Sequence, residues 1–127
     1  MFFRKIFSIV AIFFFTCGSC FAGELFREQM TRYYNEGLCQ QDLGKYLEAR
    51  TAYQKALLLG VDNKDLRIKV LNKLGFVYAK QGEYLRAEIV FNEAFELVLK
   101  QALDKEYASR RVAKKSIKET SEGRVRP

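Results

Sequence analysis

The side chains able to do chemistry in this chain are 3 cysteines, 15 carboxylates and 22 lysines and arginines, with no histidine. Without His, acid–base catalysis at neutral pH loses its commonest agent and zinc loses a leading ligand. Neither a Ser-His-Asp nor a Cys-His arrangement can form. HExxH, paired CxxC and GxxxxGK[ST] patterns are also absent from the sequence. The carboxylates fall among lysines and arginines at the spacing of a solvated helix surface, not in isolated pairs. The chain is therefore not expected to be an enzyme, and neither a cofactor nor a metal site is expected.

Two of the cysteines, Cys17 and Cys20, lie in the opening segment "MFFRKIFSIVAIFFFTCGSCFA". Arg4 and Lys5 precede an uncharged run from Ile6 to Ala22, and Cys20 and Ala22 stand at positions −3 and −1 of a cleavage site. This is the three-part pattern of a secretory signal peptide. Residues 1–22 are thus read as a signal, with export to a periplasm or secretion as the consequence. The alternatives are an uncleaved membrane anchor through residues 6–22 and lipidation at Cys20. Removal of the signal leaves Cys39 alone, unable to form an internal disulfide. Its expected role is that of a small buried side chain.

The elements that position everything else are written twice. "GKYLEARTAYQKAL" at 44–57 returns as "GEYLRAEIVFNEAF" at 82–95, an offset of 38 residues. Gly37 aligns with Gly75, Gly44 with Gly82, Ala49 with Ala87, Tyr53 with Phe91 and Ala56 with Ala94. Each unit holds two apolar-periodic stretches around a Gly turn: 24–41 and 46–59, then 64–80 and 84 to about 100. Gly in those turns supplies the left-handed conformation that closes a helix, and Asp62 or Asn63 can cap the third helix. Loops this short make neighbouring helices antiparallel. Gly37, Ala49, Ala56, Gly75, Ala87 and Ala94 are the expected packing positions. Gly in mid-helix costs about 1 kcal/mol relative to Ala, so its recurrence at 37 and 75 predicts a close helix–helix approach.

At these residues the chain resembles the tetratricopeptide repeat family, whose pattern runs W-x2-L-G-x2-Y, then A-x3-F, then Pro, over about 34 residues. The second unit has "LNKLGFVY" at 71–78 and "AEIVF" at 87–91, while the first has "YNEG" at 34–37 and "ARTAY" at 49–53. Gln40 stands in place of the first unit's Tyr, and Val61 and Leu99 in place of the closing Pro. The resemblance implies an all-α fold of antiparallel helical hairpins in a right-handed superhelix, with about five helices. The expected divisions are repeats at 23–61 and 62–100, a capping helix at 101–118 and a disordered tail at 119–127; since no breaker separates Phe95 from Leu103, the alternative for 101–118 is an extension of the fourth helix.

The resemblance also implies a binding scaffold. The first helices of the two repeats would line a shallow concave groove for a peptide or partner helix. Tyr34, Leu38 and Gln41 come from the first repeat, and Lys69, Asn72, Lys73, Phe76 and Lys80 from the second. Tyr34, Leu38 and Phe76 would be its anchors, Leu38 and Phe76 at equivalent positions, with Lys69, Asn72, Lys73 and Lys80 as polar partners. The alternatives are an assembly subunit that self-associates by stacking repeats into a homo-oligomer, and a peripheral envelope factor held by its basic end. Residues 23–99 carry 11 basic and 11 acidic side chains, and residues 100–127 carry 9 and 4. The local excess, with Arg110, Arg111, Lys114 and Lys115 at its centre, points to an anionic membrane surface or an acidic protein more than to nucleic acid. On the second helices, Lys45, Glu48, Arg50 and Lys55 align with residues of opposite sign, Glu83, Arg86, Glu88 and Glu93. That pattern is expected to help fix the order of stacking.

Overall fold

The computed structural model describes the backbone of residues 2–60 and 62–123, and the side chains of residues 22–60 and 62–123. The described residues fold as four helices: α1 (Phe2–Asp42), α2 (Tyr46–Leu59), α3 (Lys64–Lys80) and α4 (Tyr84–Gly123). α1 packs on α2, α3 on α4, and the two hairpins meet mainly through α2 and α3, with a small contact between α1 and α3.

Both hairpin turns close in the same way. At the first, Lys45 N–H donates to the Gln40 carbonyl at 2.9 Å and Gly44 N–H to the Gln41 carbonyl at 3.0 Å. At the second, Glu83 N–H donates to Tyr78 at 2.9 Å and Gly82 N–H to Ala79 at 3.1 Å. This is the Schellman closure, which satisfies the orphan carbonyls of the helix end and needs a left-handed residue. Gly44 (φ +72°) and Gly82 (φ +79°) supply it. At the start of α3, Asn63 rather than Asp62 provides the cap, its side-chain oxygen accepting from Leu66 N–H at 3.1 Å. Asp65 in the first turn and Lys80 in the last add favourable charges at the helix ends.

The core follows the repeat. Ala49, Ala56, Ala87 and Ala94 are all buried, together with Met30, Tyr53, Val70, Leu74 and Val77. Gly37 and Gly75 are buried too, but their neighbour is not another backbone. A Cβ added to Gly37 would run into the Tyr53 ring, and one added to Gly75 would lie 2.7 Å from Phe91 Cε1. In place of the expected close helix–helix approach, each glycine seats a ring, that of the aromatic at the matching position of its hairpin. Met30 packs the same way against Gly60 in the α2–α3 loop.

Expectations about the end of the chain and about Cys39 need correction. Residues 101–118 continue α4 instead of forming a separate capping helix, so the described residues form four helices, close to the about five expected. The cause lies at the repeat boundary. Leu99 replaces the family's closing Pro, and no breaker lies between Phe95 and Lys118, so nothing stops propagation. Residues 119–123, expected to be disordered, are also helical, and ion pairs one turn apart run along this arm: Glu106–Arg110 at 2.7 Å, Lys115–Glu119 and Lys118–Glu122 at 3.9 Å. The rest of the expected tail, 124–127, lies outside the described residues.

Cys39 is the second correction, because it is exposed. Its counterpart Val77 is completely buried. The difference is positional: α3 has α2 behind it, whereas no helix covers the corresponding side of α1 among the described residues. The expectation of a signal or anchor at 1–22 falls on residues whose side chains, up to 21, lie outside the described ones. Their backbone from Phe2 is continuous with α1.

Candidate interaction surface

All eight expected groove residues lie on α1 or α3, the first helices of the two hairpins. The fold treats them unequally. Gln41 is engaged internally, its side-chain oxygen accepting the Tyr53 hydroxyl at 3.0 Å. Tyr34 is half-buried against the core, its ring centroid 6.1 Å from that of Tyr53 and tilted by 44°. These two support Tyr53 and contribute only their outer edges to a surface. Burial first, then Tyr34 and Asp42, push the Tyr53 hydroxyl up to about 12, so it is a neutral hydrogen-bond donor at any physiological pH.

The outward side chains are Leu38 and Lys73, both half-exposed, and Lys69, Asn72, Phe76 and Lys80, all exposed. Phe76 is 39% exposed although both its neighbours, Gly75 and Val77, are buried. Lys80 holds its ammonium 5.3 Å from the centre of the Phe76 ring, so the apolar face is overlaid by a cation. The chemistry available is non-covalent: an aromatic face, an aliphatic side chain one repeat away, and lysines with an amide around them.

Two features escaped the sequence reading. Arg50, on α2, joins the hairpins: its guanidinium meets Glu83 at 3.0 Å, reaches Gln81 at 3.5 Å and lies 5.8 Å from the centre of the Tyr78 ring. Gln54 adds a donation to the Tyr78 hydroxyl at 3.1 Å. The sign reversal between repeats was the available signal, but Arg50 meets Glu83 and not its own counterpart Glu88. Of the other reversed positions, Glu93 pairs with Arg67 at 2.7 Å within the second hairpin, and Lys55 lies over the Tyr33 ring. The second feature is a hollow of about 680 Å³ between the start of the described part of α1 (Phe26, Met30) and the end of α2 and its loop (Leu58, Gly60, Asn63). No repeat position marks it. The basic residues Arg110, Arg111, Lys114 and Lys115 sit exposed on the projecting arm of α4, with Arg110 committed to Glu106.

Paired antiparallel helices, identical glycine closures and aromatic rings seated on matched glycines define a helical-hairpin repeat protein, a class built by stacking one supersecondary unit. Residues 28–104 match the family model described as tetratricopeptide repeat, and the chain belongs to that family. No solved structure matches it. Members of this family generally act as protein-interaction scaffolds.

Proposed function

We propose that this chain is an exported adaptor that binds a peptide segment or helix of another protein on the surface formed by α1 and α3. Leu38 and Phe76 anchor the partner's apolar side chains. Lys69, Asn72, Lys73 and Lys80 surround them and favour a partner carrying acidic or carbonyl groups beside its apolar anchors. The observation that carries this reading is Phe76: an aromatic side chain kept at the surface between two buried neighbours, with Lys80 above it. Family membership supports a binding role without chemistry, and the charged start and apolar run of residues 1–22 support export.

Crosslinking in cells, followed by identification of captured proteins, compares the wild type with Leu38→Asp/Phe76→Asp. Both positions are partly exposed, so the variant keeps its helicity. Loss of the captured protein is expected; an unchanged capture by the folded variant removes the reading. Export is checked separately by fractionation and by the mass of the mature amino terminus, expected at Gly23. A chain found only in the cytoplasm contradicts it.

A further inference from the structure

The 38-residue shift lets each position of the second hairpin be compared with its counterpart in the first. On α2, Tyr53 is fully buried and Tyr46 and Leu57 pack against the core. Their counterparts on α4 are Tyr84, Phe91 and Phe95, which are 72%, 41% and 66% exposed. α3 covers the α2 set, and among the described residues nothing covers the α4 set. The exposed apolar stripe runs on through Val98, Leu99 and Leu103.

The other end of the stack is different. Val70, Leu74, Val77 and Tyr78 on α3 are buried, while their counterparts on α1 are Arg32, Glu36, Cys39 and Gln40. Burial within a hairpin is the same for both sets, so the difference is the cover that α2 gives α3. Over residues 32–40 the α1 edge is therefore polar where the α4 edge is apolar, with Leu25 its exposed aliphatic residue further down. A head-to-tail stack of copies would need both edges apolar and has only one.

A two-fold arrangement needs only the α4 edge, because the same patch serves both copies. We infer that two copies of this chain join through α4, packed antiparallel about a two-fold axis near the middle of the stripe, close to Val98. α4 is complementary to itself in that orientation. From 84 to 99 it carries Glu88, Glu93 and Glu96 against Arg86 alone, and from 100 to 118 it carries 7 lysines and arginines against Asp104 and Glu106. Antiparallel packing lays the acidic half of one helix beside the basic half of the other. It also sets Phe91 and Phe95 of each copy near Leu103 and Leu99 of its partner. Glu88 and Glu96 have no ion-pair partner among the described residues of one copy and are available for this contact. None of the groove residues takes part, so failure of either reading leaves the other standing.

The test places a photoreactive residue at Phe95 of the full chain in its own cells, with Leu47, exposed on α2, as the control site. The expected product has twice the chain's mass, with the crosslink mapping to α4 of a second copy and none from Leu47. Sedimentation of the purified full chain should show a dimer that Phe95→Asp/Val98→Asp converts to monomer with unchanged helicity. Glu88→Lys/Glu96→Lys should weaken association about tenfold, and adding Lys100→Glu/Arg110→Glu, which lie across from them in this register, should restore it. Crosslinks from Phe95 to lipid or to a different protein, no crosslink, or a mass unaffected by Phe95→Asp/Val98→Asp would each overturn the inference.

Discussion

The Tyr53 ring occupies the space that a side chain at Gly37 would need: a Cβ there would stand 2.6 Å from Tyr53 Cδ1. Thirty-eight residues on, Phe91 stands over Gly75 in the same way, but Tyr53 is fully buried and Phe91 is 41% exposed. The same local packing thus has an immobile lid in one hairpin and a half-free one in the other.

Gly→Ala substitutions read this difference directly. Ala gains about 1 kcal/mol of helix propensity, while overpacking a closed site costs about 1–3 kcal/mol. Gly37→Ala should destabilise the fold by about 1–2 kcal/mol, since Tyr53 has nowhere to move. Gly75→Ala should lie within about 0.5 kcal/mol of the wild type, because Phe91 can turn toward solvent. Urea unfolding midpoints of the two variants check this, and equal losses would show that Phe91 is held as firmly as Tyr53.

Tyr53 also predicts an alkaline limit. Its hydroxyl is held at about 12, chiefly by burial and then by Tyr34 and Asp42, against about 10 in an unfolded chain. Between those values the unfolded state gives up a proton that the folded state keeps. This contribution to stability is complete below pH 10 and falls as pH rises toward 12, by up to about 3 kcal/mol. Tyr53→Phe should remove that slope, at a cost near neutrality of about 1 kcal/mol for the lost bond to Gln41. Denaturation series at about pH 8 and about pH 11 distinguish the two proteins.

Arg50 and Glu83 lock the hairpins together at 3.0 Å, with side chains about a quarter and a third exposed. A double-mutant cycle to Ala should return a coupling of about 0.5–1 kcal/mol. Arg50→Ala alone should cost more than Glu83→Ala alone, because it also uncovers the Tyr78 ring. Glu83→Lys/Glu88→Lys should leave the chain folded; wholesale unfolding would mean that these charges do more than set the order of stacking.

At the α3 entry, Asn63→Ala should lose about 1 kcal/mol and Asp62→Ala less than about 0.5 kcal/mol. Thermal unfolding of both variants suffices. The reverse order would place the cap at Asp62.

The duplicated hairpins were legible in the sequence because their causes are local. Turn glycines need a left-handed conformation, alanines recur on one helix face, and the bounds of α2 and α3 are those expected. What could not be read depends on neighbours. Cys39 and Val77 are equivalent in the chain but not in space, since only one has a helix behind it. The length of α4 was half-legible: Leu99 in place of Pro was visible, but an amphipathic run with no breaker reads equally as one helix or two. Among the groove positions, Leu38 is half-exposed and Phe76 exposed. Gln41 was polar at a surface-type position, and only the fold reveals that Tyr53 claims it.

The shared closure of the two turns has one more consequence. With Gly44 and Gly82 bent alike, the turn inside each hairpin recurs with the repeat, so a block such as 46–83, which holds the joint between hairpins within it, can be spliced in again as a whole brick. Each added brick would bring its own aromatic wedge and its own latch of the Arg50–Glu83 kind. The chain can thereby lengthen by duplication of a gene segment without inventing a new contact, and its reach becomes a matter of counting.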